Sequence, residues 1–337
     1  MSDLQGKRIL FFSPKFFNYE VAIKEEMERQ GAEVHLYDER NNPSSTEKIL
    51  LRKAHFLMHK RINKYYKNVT NENKKFTPDY ILFVNPEAVT KKSILLLKSI
   101  FPKAKLILYM WDSLKNKKVK KLLSFFDKKL SFDKADCRQY GFIFRPLFFL
   151  KSFEKPVNIH KCKYDFSFIG SVHSDRARIL SALRKEFESK NIKFYYYLYV
   201  PGKLMLFMRT ILDKSFRKLR KLGYDHTDSI PKEQVSQIAE DTNYIIDINH
   251  PKQIGLTMRT IEMLGSHKKI LTTNENITEY DFYNPVNQVI VSRKAFVIDK
   301  SKLIDGFRTI SDEIYNKYRI SEWVKEIFMK EAQEEIR

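Results

Sequence analysis

Cysteine is nearly absent from this 337-residue chain: Cys137 and Cys162 are its only two. That excludes a disulfide scaffold and a four-cysteine zinc site. Acidic residues are short as well, 41 Asp+Glu against 62 Lys+Arg, for a formal net charge of +21. The surplus points to an anionic partner, whether nucleic acid, a membrane surface or a phosphorylated substrate, without choosing among them. A chain this rich in lysine, asparagine and isoleucine also fits a bias of genome composition. Long apolar runs are missing, and none approaches the roughly 18 residues of a membrane span. The opening MSDLQGKRILFFSP has too short an apolar stretch, Ile9–Phe12, for a secretory signal. A soluble, cytoplasmic protein is expected.

What is present suffices for a packed core: 43% apolar and 14% aromatic residues. The length predicts about two domains. Short apolar runs alternate with helical patterns in the first half. RILFFSP (Arg8–Pro14), EVHLYD (Glu33–Asp38), YILFVN (Tyr80–Asn85), KLILYMWD (Lys105–Asp112) and KLSFD (Lys129–Asp133) read as strands. Asn18–Gln30 and Ser93–Ile100 read as helices between them. Continuous apolar strands separated by helices predict parallel βαβ units. Residues 1–150 are therefore expected to form a doubly wound α/β domain.

Arg145–Pro156 reads as a linker, with prolines near both ends. The rhythm then restarts. Strands are predicted at Tyr164–Gly170, Lys193–Val200, Tyr244–Asn249, Lys269–Asn274 and Gln288–Ser292. Helices are predicted at Asp175–Lys190 with Ser174 as N-cap, Lys232–Glu240, Thr257–Leu264, Lys302–Tyr315 and Ser321–Glu335. The fold class is thus α/β, two tandem Rossmann-like domains with a cleft between them. A second domain spans 151–320, and 321–337 forms a terminal helix. Functional residues are expected just after strands, where open parallel sheets bind ligands.

Two segments can carry chemistry. In DINHPKQIGLTMRTIEMLGSHKKILTTN (Asp247–Asn274) a strand ends near Asn249, and a polar loop with Pro251, Gln253 and Gly255 leads into a helix at Leu256 or Thr257. A helix start offers N–H groups and a positive dipole end to a diphosphate. Gly255 permits close backbone approach. Arg259 in the first turn can add a charge-assisted contact, and Glu262, on the same face, can accept from ribose hydroxyls. A capped surface helix with an Arg–Glu pair is the plainer reading. In FSFIGSVHSDRAR (Phe166–Arg178) a strand again turns into a helix, and Gly170, Ser171, His173 and Arg176 can face phosphates. Neither a P-loop nor a GxGxxG pattern is present there. Ordinary turn and cap chemistry would also explain that segment.

Together these segments resemble the donor-binding domain of GT-B-fold glycosyltransferases. FSFIGSVHSDR, IIDINHPKQIGLTMRTIEMLG and KKILTTNENITEYDFYN, in that order, are similar to bacterial enzymes of lipopolysaccharide-core and capsular polysaccharide biosynthesis. SFDKADCRQYGF followed by RPLFF fits the same group at its domain junction. The resemblance is densest over Lys129–Arg178 and Asn243–Arg293, and rests on order and spacing rather than on one diagnostic motif. It implies transfer of a hexosyl or deoxyhexosyl unit from a nucleotide-sugar donor to a glycan or lipid-linked acceptor, with the acceptor on the N-terminal domain and the nucleotide on the C-terminal one. Gly255, Leu256 and Thr257 would then meet the diphosphate, Glu262 the ribose, and Gly170, Ser171 and Arg176 would line the site. It also implies that the last helix, around Trp323, braces the N-terminal domain. Many retaining members carry two glutamates eight residues apart, but the position eight before Glu262 is Ile254. Stereochemistry is therefore not carried over.

No metal is required, because a helix N-terminus and arginines can stabilise a departing diphosphate. No resident cofactor is expected, the nucleotide sugar being a substrate. Asp225-His226-Thr227-Asp228 has the wrong spacing for a metal motif and reads as a polar loop. An inverting reaction needs a base, and Asp112, ending KLILYMWD, is the candidate. A capping role would serve Asp112 equally. His250, Phe11–Phe17 and Asn85-Pro86-Glu87 are further candidates at strand ends.

Three basic stretches remain: Arg52–Lys75, Lys115–Lys129 and Lys203–Leu222. The first and last mix cations with apolar residues, as helices that lie on anionic membranes do. A packed helix with a solvated lysine face is the alternative. Nucleic-acid binding is the competing class, but no RRM, KH, helix-turn-helix or zinc-finger pattern accompanies the charge, and no nucleic acid partner is expected. A non-catalytic nucleotide-sugar-binding module is the third reading.

Overall fold

A computed structural model describes residues 4–329 except 45–46, 48–50, 52–53, 158–161, 300–302 and 304–305. The chain divides into two compact units: the described residues of Met1–Leu147 with those of Arg319–Arg337, and Phe148–Tyr318.

In the first unit the elements are β1 (Arg8–Ser13), α1 (Tyr19–Arg29), β2 (Glu33–Asp38), α2 (His59–Glu72), β3 (Tyr80–Val84), α3 (Lys91–Ile100), β4 (Lys105–Met110), β5 (Lys128–Ser131), α4 (Lys134–Tyr140) and β6 (Ile143–Phe144). The strands pair in parallel in the order β2-β1-β3-β4-β5-β6. Their continuous apolar runs follow from burial on both faces. Leu10 and Phe12 of β1 join Ile62, Tyr66, Ile81 and Phe83 in one core. The rings of Phe12 and Phe83 stack there at 4.9 Å. On the other face Tyr109 meets the fully buried Trp323 edge-on at 4.7 Å.

The second unit contains β7 (Tyr164–Ser171), α5 (Arg176–Ser189), β8 (Phe194–Tyr199), α6 (Lys203–Leu212), α7 (Lys214–Arg220), β9 (Asp225–His226), α8 (Lys232–Glu240), β10 (Thr242–Asp247), α9 (Met258–Gly265), β11 (Lys269–Thr272), β12 (Gln288–Ile290) and α10 (Asp312–Lys317). Its sheet is parallel throughout, ordered β12-β11-β10-β7-β8-β9. Phe166, stacked between Phe187 and Tyr244, marks its core. The last residue of α9 is a glycine, Gly265, where a Cβ would lie 2.5 Å from Cγ of Phe149.

The last helix, α11 (Ile320–Phe328), packs on α1 in the first unit. Gln30 donates to the Ser321 carbonyl at 3.0 Å, and Arg145 pairs with Glu326 at 2.9 Å.

Several expectations need correction. The basic stretch from Arg52 contains a packed helix, α2, which buries Ile62, Tyr66 and Val69; Arg52 and Lys53 lie outside the described residues. Lys203–Leu222 is two helices, broken where Asp213 accepts from Ser215 N and Phe216 N and so caps α7. Asp225-His226 is an edge strand rather than a loop. Ser174 does not cap α5: Asp175 precedes that helix, and Ser174 adopts a φ of +51°. The helix expected over 302–315 forms only at Asp312–Lys317; residues 302 and 304–305 lie outside the described set, as do residues 330–335 of the terminal helix. Phe11 and Phe12 are core residues of β1.

Candidate functional site

The strand order dictates where to look. From β7 the chain moves outward through β8 to β9, then returns beside β7 with β10 and moves the other way. The switch point, where open α/β sheets bind ligands beyond the carboxyl ends of strands, therefore falls between β7 and β10. Both candidate segments lie there.

At the β10–α9 junction, Thr257 is the N-cap, and its Oγ1 accepts from Thr260 N at 3.2 Å. Thr257 also donates to Asp247 at 3.0 Å, and Thr260 donates to the same carboxylate at 2.7 Å. The end of β10 is thus fastened to the first turn of α9. Leu256 is buried, so it offers the site only backbone. Gln253 donates to the Gly255 carbonyl at 3.1 Å within the loop, and Asn274, beyond β11, reaches that carbonyl at 3.3 Å. Gly255 is itself buried.

Two arginines stitch the switch point together. Arg259 donates through Nη1 to the Ile169 carbonyl of β7 at 2.5 Å. Arg176 donates from Nε and Nη2 to the Ile248 carbonyl at 3.0 and 2.8 Å, and from Nη1 to that of Ser171 at 3.0 Å. Its guanidinium is therefore spent on the protein's own carbonyls, with Phe168 beneath it at 5.7 Å. Burial lowers Arg176 to about 10; Asp247 counters, while Arg259 and Arg293 add to the lowering.

Arg293, after β12, is a third arginine that strand-end reasoning passed over. It donates through Nη1 to Asp175 at 2.8 and 2.9 Å, and through Nη2 to Asn249 Oδ1 at 2.6 Å and Thr273 Oγ1 at 3.0 Å. Burial is the largest influence on Asp175 and would raise it, but its bonds to Arg293 and Arg178 together hold it below the ordinary range. Its place directly after the predicted strand QVIVS is legible in the sequence; its partners, from three separate segments, are not.

Gly170 and Ser171 end β7, and Ser171 is exposed. His173 is lowered to about 4 by burial first, then by the charges of Arg176, His250 and Arg209. At neutral pH it is an uncharged imidazole that can donate or accept. Glu262 is half-buried on α9, three residues from Arg259. The structure thus gathers Gly170, Ser171, His173, Arg176, Gln253, Gly255, Leu256, Thr257 and Arg259 at one switch point. The first turn of α9 beside Arg259 is suited to an anion with several acceptor oxygens, while Arg176 and Arg293 are engaged with the protein's own carbonyls and Asp175. Among the described residues, no group of three or more His, Cys, Asp or Glu is arranged to hold a metal ion.

Asp112 belongs to the other unit. It is exposed beyond β4, paired with Lys117 Nζ at 2.9 Å, and Lys117 also meets Glu87 at 3.2 Å.

No protein-family model matches the chain, and no curated protein does. Solved structures do. A glycosyltransferase from Rickettsia africae ESF-5 has a TM-score of 0.57 at 12% identity, over 96% of this chain and 93% of that one. The apo form of the lipopolysaccharide outer core galactosyltransferase WaaB gives 0.51 at 13%, over 95% and 94%. Anabaena HepE, in complex with UDP and glucose, gives 0.54 at 9%, over 95% of each chain. At such identities the likeness is one of fold. Two parallel six-stranded sheets in two Rossmann-like units form the GT-B fold.

Proposed function

We propose that the chain is a glycosyltransferase that moves a hexosyl or deoxyhexosyl unit from a nucleoside diphosphate sugar to a glycan or lipid-linked acceptor. The reading assigns it to lipopolysaccharide or capsule assembly at the cytoplasmic face of the membrane. The second unit takes the donor and the first the acceptor. The observation that carries this is the β7/β10 switch point, where α9 starts beside Arg259 and the carbonyl ends of both strands are locked in place. HepE, which shares the fold, is bound to UDP and glucose in its solved structure.

The chemistry follows from charge. As the glycosidic C–O bond breaks, the departing diphosphate gains negative charge. The amides of the first turn of α9 and the Arg259 guanidinium stabilise that charge without reorganising, because the cap and the Ile169 bond already hold them. No metal is needed for that step. Arg176 and Arg293 act one step back, by fixing the loops that present those donors. Glu262 accepts from the ribose, and Asp112 is assigned as the base that takes the proton of the acceptor hydroxyl.

A thermal-shift series with UDP, GDP, dTDP and CMP in the presence of EDTA tests the reading. One nucleotide is expected to raise the melting temperature of the wild type. Glu262→Ala is expected to weaken that nucleotide about fivefold, the scale of one lost hydrogen bond, without unfolding the protein. A folded variant with unchanged affinity removes Glu262 from the site. No shift with any nucleotide overturns the donor-site reading.

A further inference from the structure

Helix α6 is built inside out. Counting about 100° per residue, Leu206 faces the protein, and it is the α6 side chain that packs against the core of the second unit. Arg209, Thr210 and Lys203 lie within roughly 60° of it. Leu204, Met205, Phe207, Met208, Ile211 and Leu212 fill an arc of roughly 160° on the opposite side. That arc is open to solvent: Leu204 is 74% exposed, Phe207 62% and Leu212 78%. No residue of the helix is buried.

Polar bonds, not burial, hold this helix in place. Arg217 of α7 donates to the carbonyls of Thr210 and Ile211 at 2.7 and 2.6 Å, and Arg220 donates to Thr210 Oγ1 at 2.6 Å. These bonds satisfy the carbonyls that a helix end leaves without partners. An apolar face fastened outward by arginines is arranged for something outside the unit.

Charge identifies that partner. Between Lys203 and Leu222 there are seven cations, Lys203, Arg209, Lys214, Arg217, Lys218, Arg220 and Lys221, and a single acid, Asp213, already used as a cap. With ten residues the helix is about 15 Å long. None among the described residues is long and apolar enough to cross a membrane. A short helix with an apolar face and flanking cations lies in the plane of an interface, its apolar side chains at the acyl boundary and its cations at the headgroups.

We propose that α6, with the cations of α7, docks the second unit on an anionic lipid bilayer. Helix α2 is not part of this contact, because its apolar stripe is buried. Helix α6 follows the carboxyl end of β8, the strand next to β7, so docking turns the edge of the sheet that carries the candidate donor site toward the lipid. That suits the lipid-linked acceptor of the proposed function, but the contact requires no transfer activity. Vesicle binding and nucleotide binding can therefore fail independently.

The test is flotation with vesicles of phosphatidylcholine alone or mixed with phosphatidylglycerol, without nucleotide. Wild type is expected to float with the mixed vesicles only. Leu204→Ser/Phe207→Ser/Ile211→Ser should keep its melting temperature and lose flotation. Lys218→Glu/Lys221→Glu, which alters two exposed lysines, should weaken binding about tenfold or more, since each cation near such a surface contributes about 1 kcal/mol. Equal flotation of all variants, or none of the wild type, overturns the proposal. So does a dimer in sedimentation velocity that the triple variant abolishes while vesicle binding persists, because a second copy would then be the occupant.

Discussion

Beyond the strand ends of the first sheet, a carboxylate of the protein's own occupies a row of backbone amides. Glu39 accepts from Glu87 N at 3.0 Å and from Ala88 N and Val89 N at 2.6 Å. In the second sheet the corresponding region carries a helix start and three arginines that bond to carbonyls and to a carboxylate. The sheets differ by one strand before the switch: β2-β1-β3 in the first, β9-β8-β7-β10 in the second. The second order is that of dinucleotide-binding folds. Similar scaffolds thus serve two electrostatic tasks. One edge fills its backbone amides with a carboxyl group of its own; the other presents a helix start beside Arg259.

The strongest way to break this comparison is to remove the resident carboxyl group. Burial, only partly opposed by the three amide bonds, raises Glu39 to about 7. The folded state therefore holds a proton that the unfolded chain has released, so stability falls as pH rises from about 4.5 to about 7 and is level above that. Glu39→Gln is expected to remove about 3 kcal/mol of that pH dependence. Denaturant melts of both proteins at about pH 5 and about pH 8 measure it, and parallel curves would mean that Glu39 does not titrate in this window. Next comes Arg259→Gln, which keeps a donor for Ile169 and removes the charge. Nucleotide affinity should fall about thirtyfold, or about 2 kcal/mol, with little change in stability. Unchanged affinity by calorimetry would place the diphosphate elsewhere. The smallest effect is expected of Thr257→Ala, which loses the cap and one bond to Asp247. It should cost about 1 kcal/mol of stability, and a cost near zero would show that Thr260 alone fastens β10 to α9.

The sheets were legible because strands buried on both faces leave continuous apolar runs, as in Arg8–Ser13 and Lys105–Met110. Helix α2 was harder to read. Ile62, Tyr66 and Val69 have helical spacing, but the surrounding lysines made the stretch look like a surface element. The two-residue strands β6 and β9 are too short to carry a pattern. The loops of the candidate site were found because they follow strands, yet the duties of their arginines were not. Whether a guanidinium turns to a ligand or to a carbonyl 72 residues away, as Arg176 does, depends on tertiary placement. Arg293 was missed for the same reason: its partners Asp175, Asn249 and Thr273 come from three separate segments.

The last helix has a consequence for synthesis. The first unit is written in two instalments, with all of Phe148–Tyr318 translated between them. Its Tyr109 face is completed only when Trp323 arrives. During translation the second unit can fold as soon as its own residues have emerged, while the first waits with an aromatic surface uncovered. The domain begun first is finished last, because the Tyr109 face is covered only by residues that follow Tyr318.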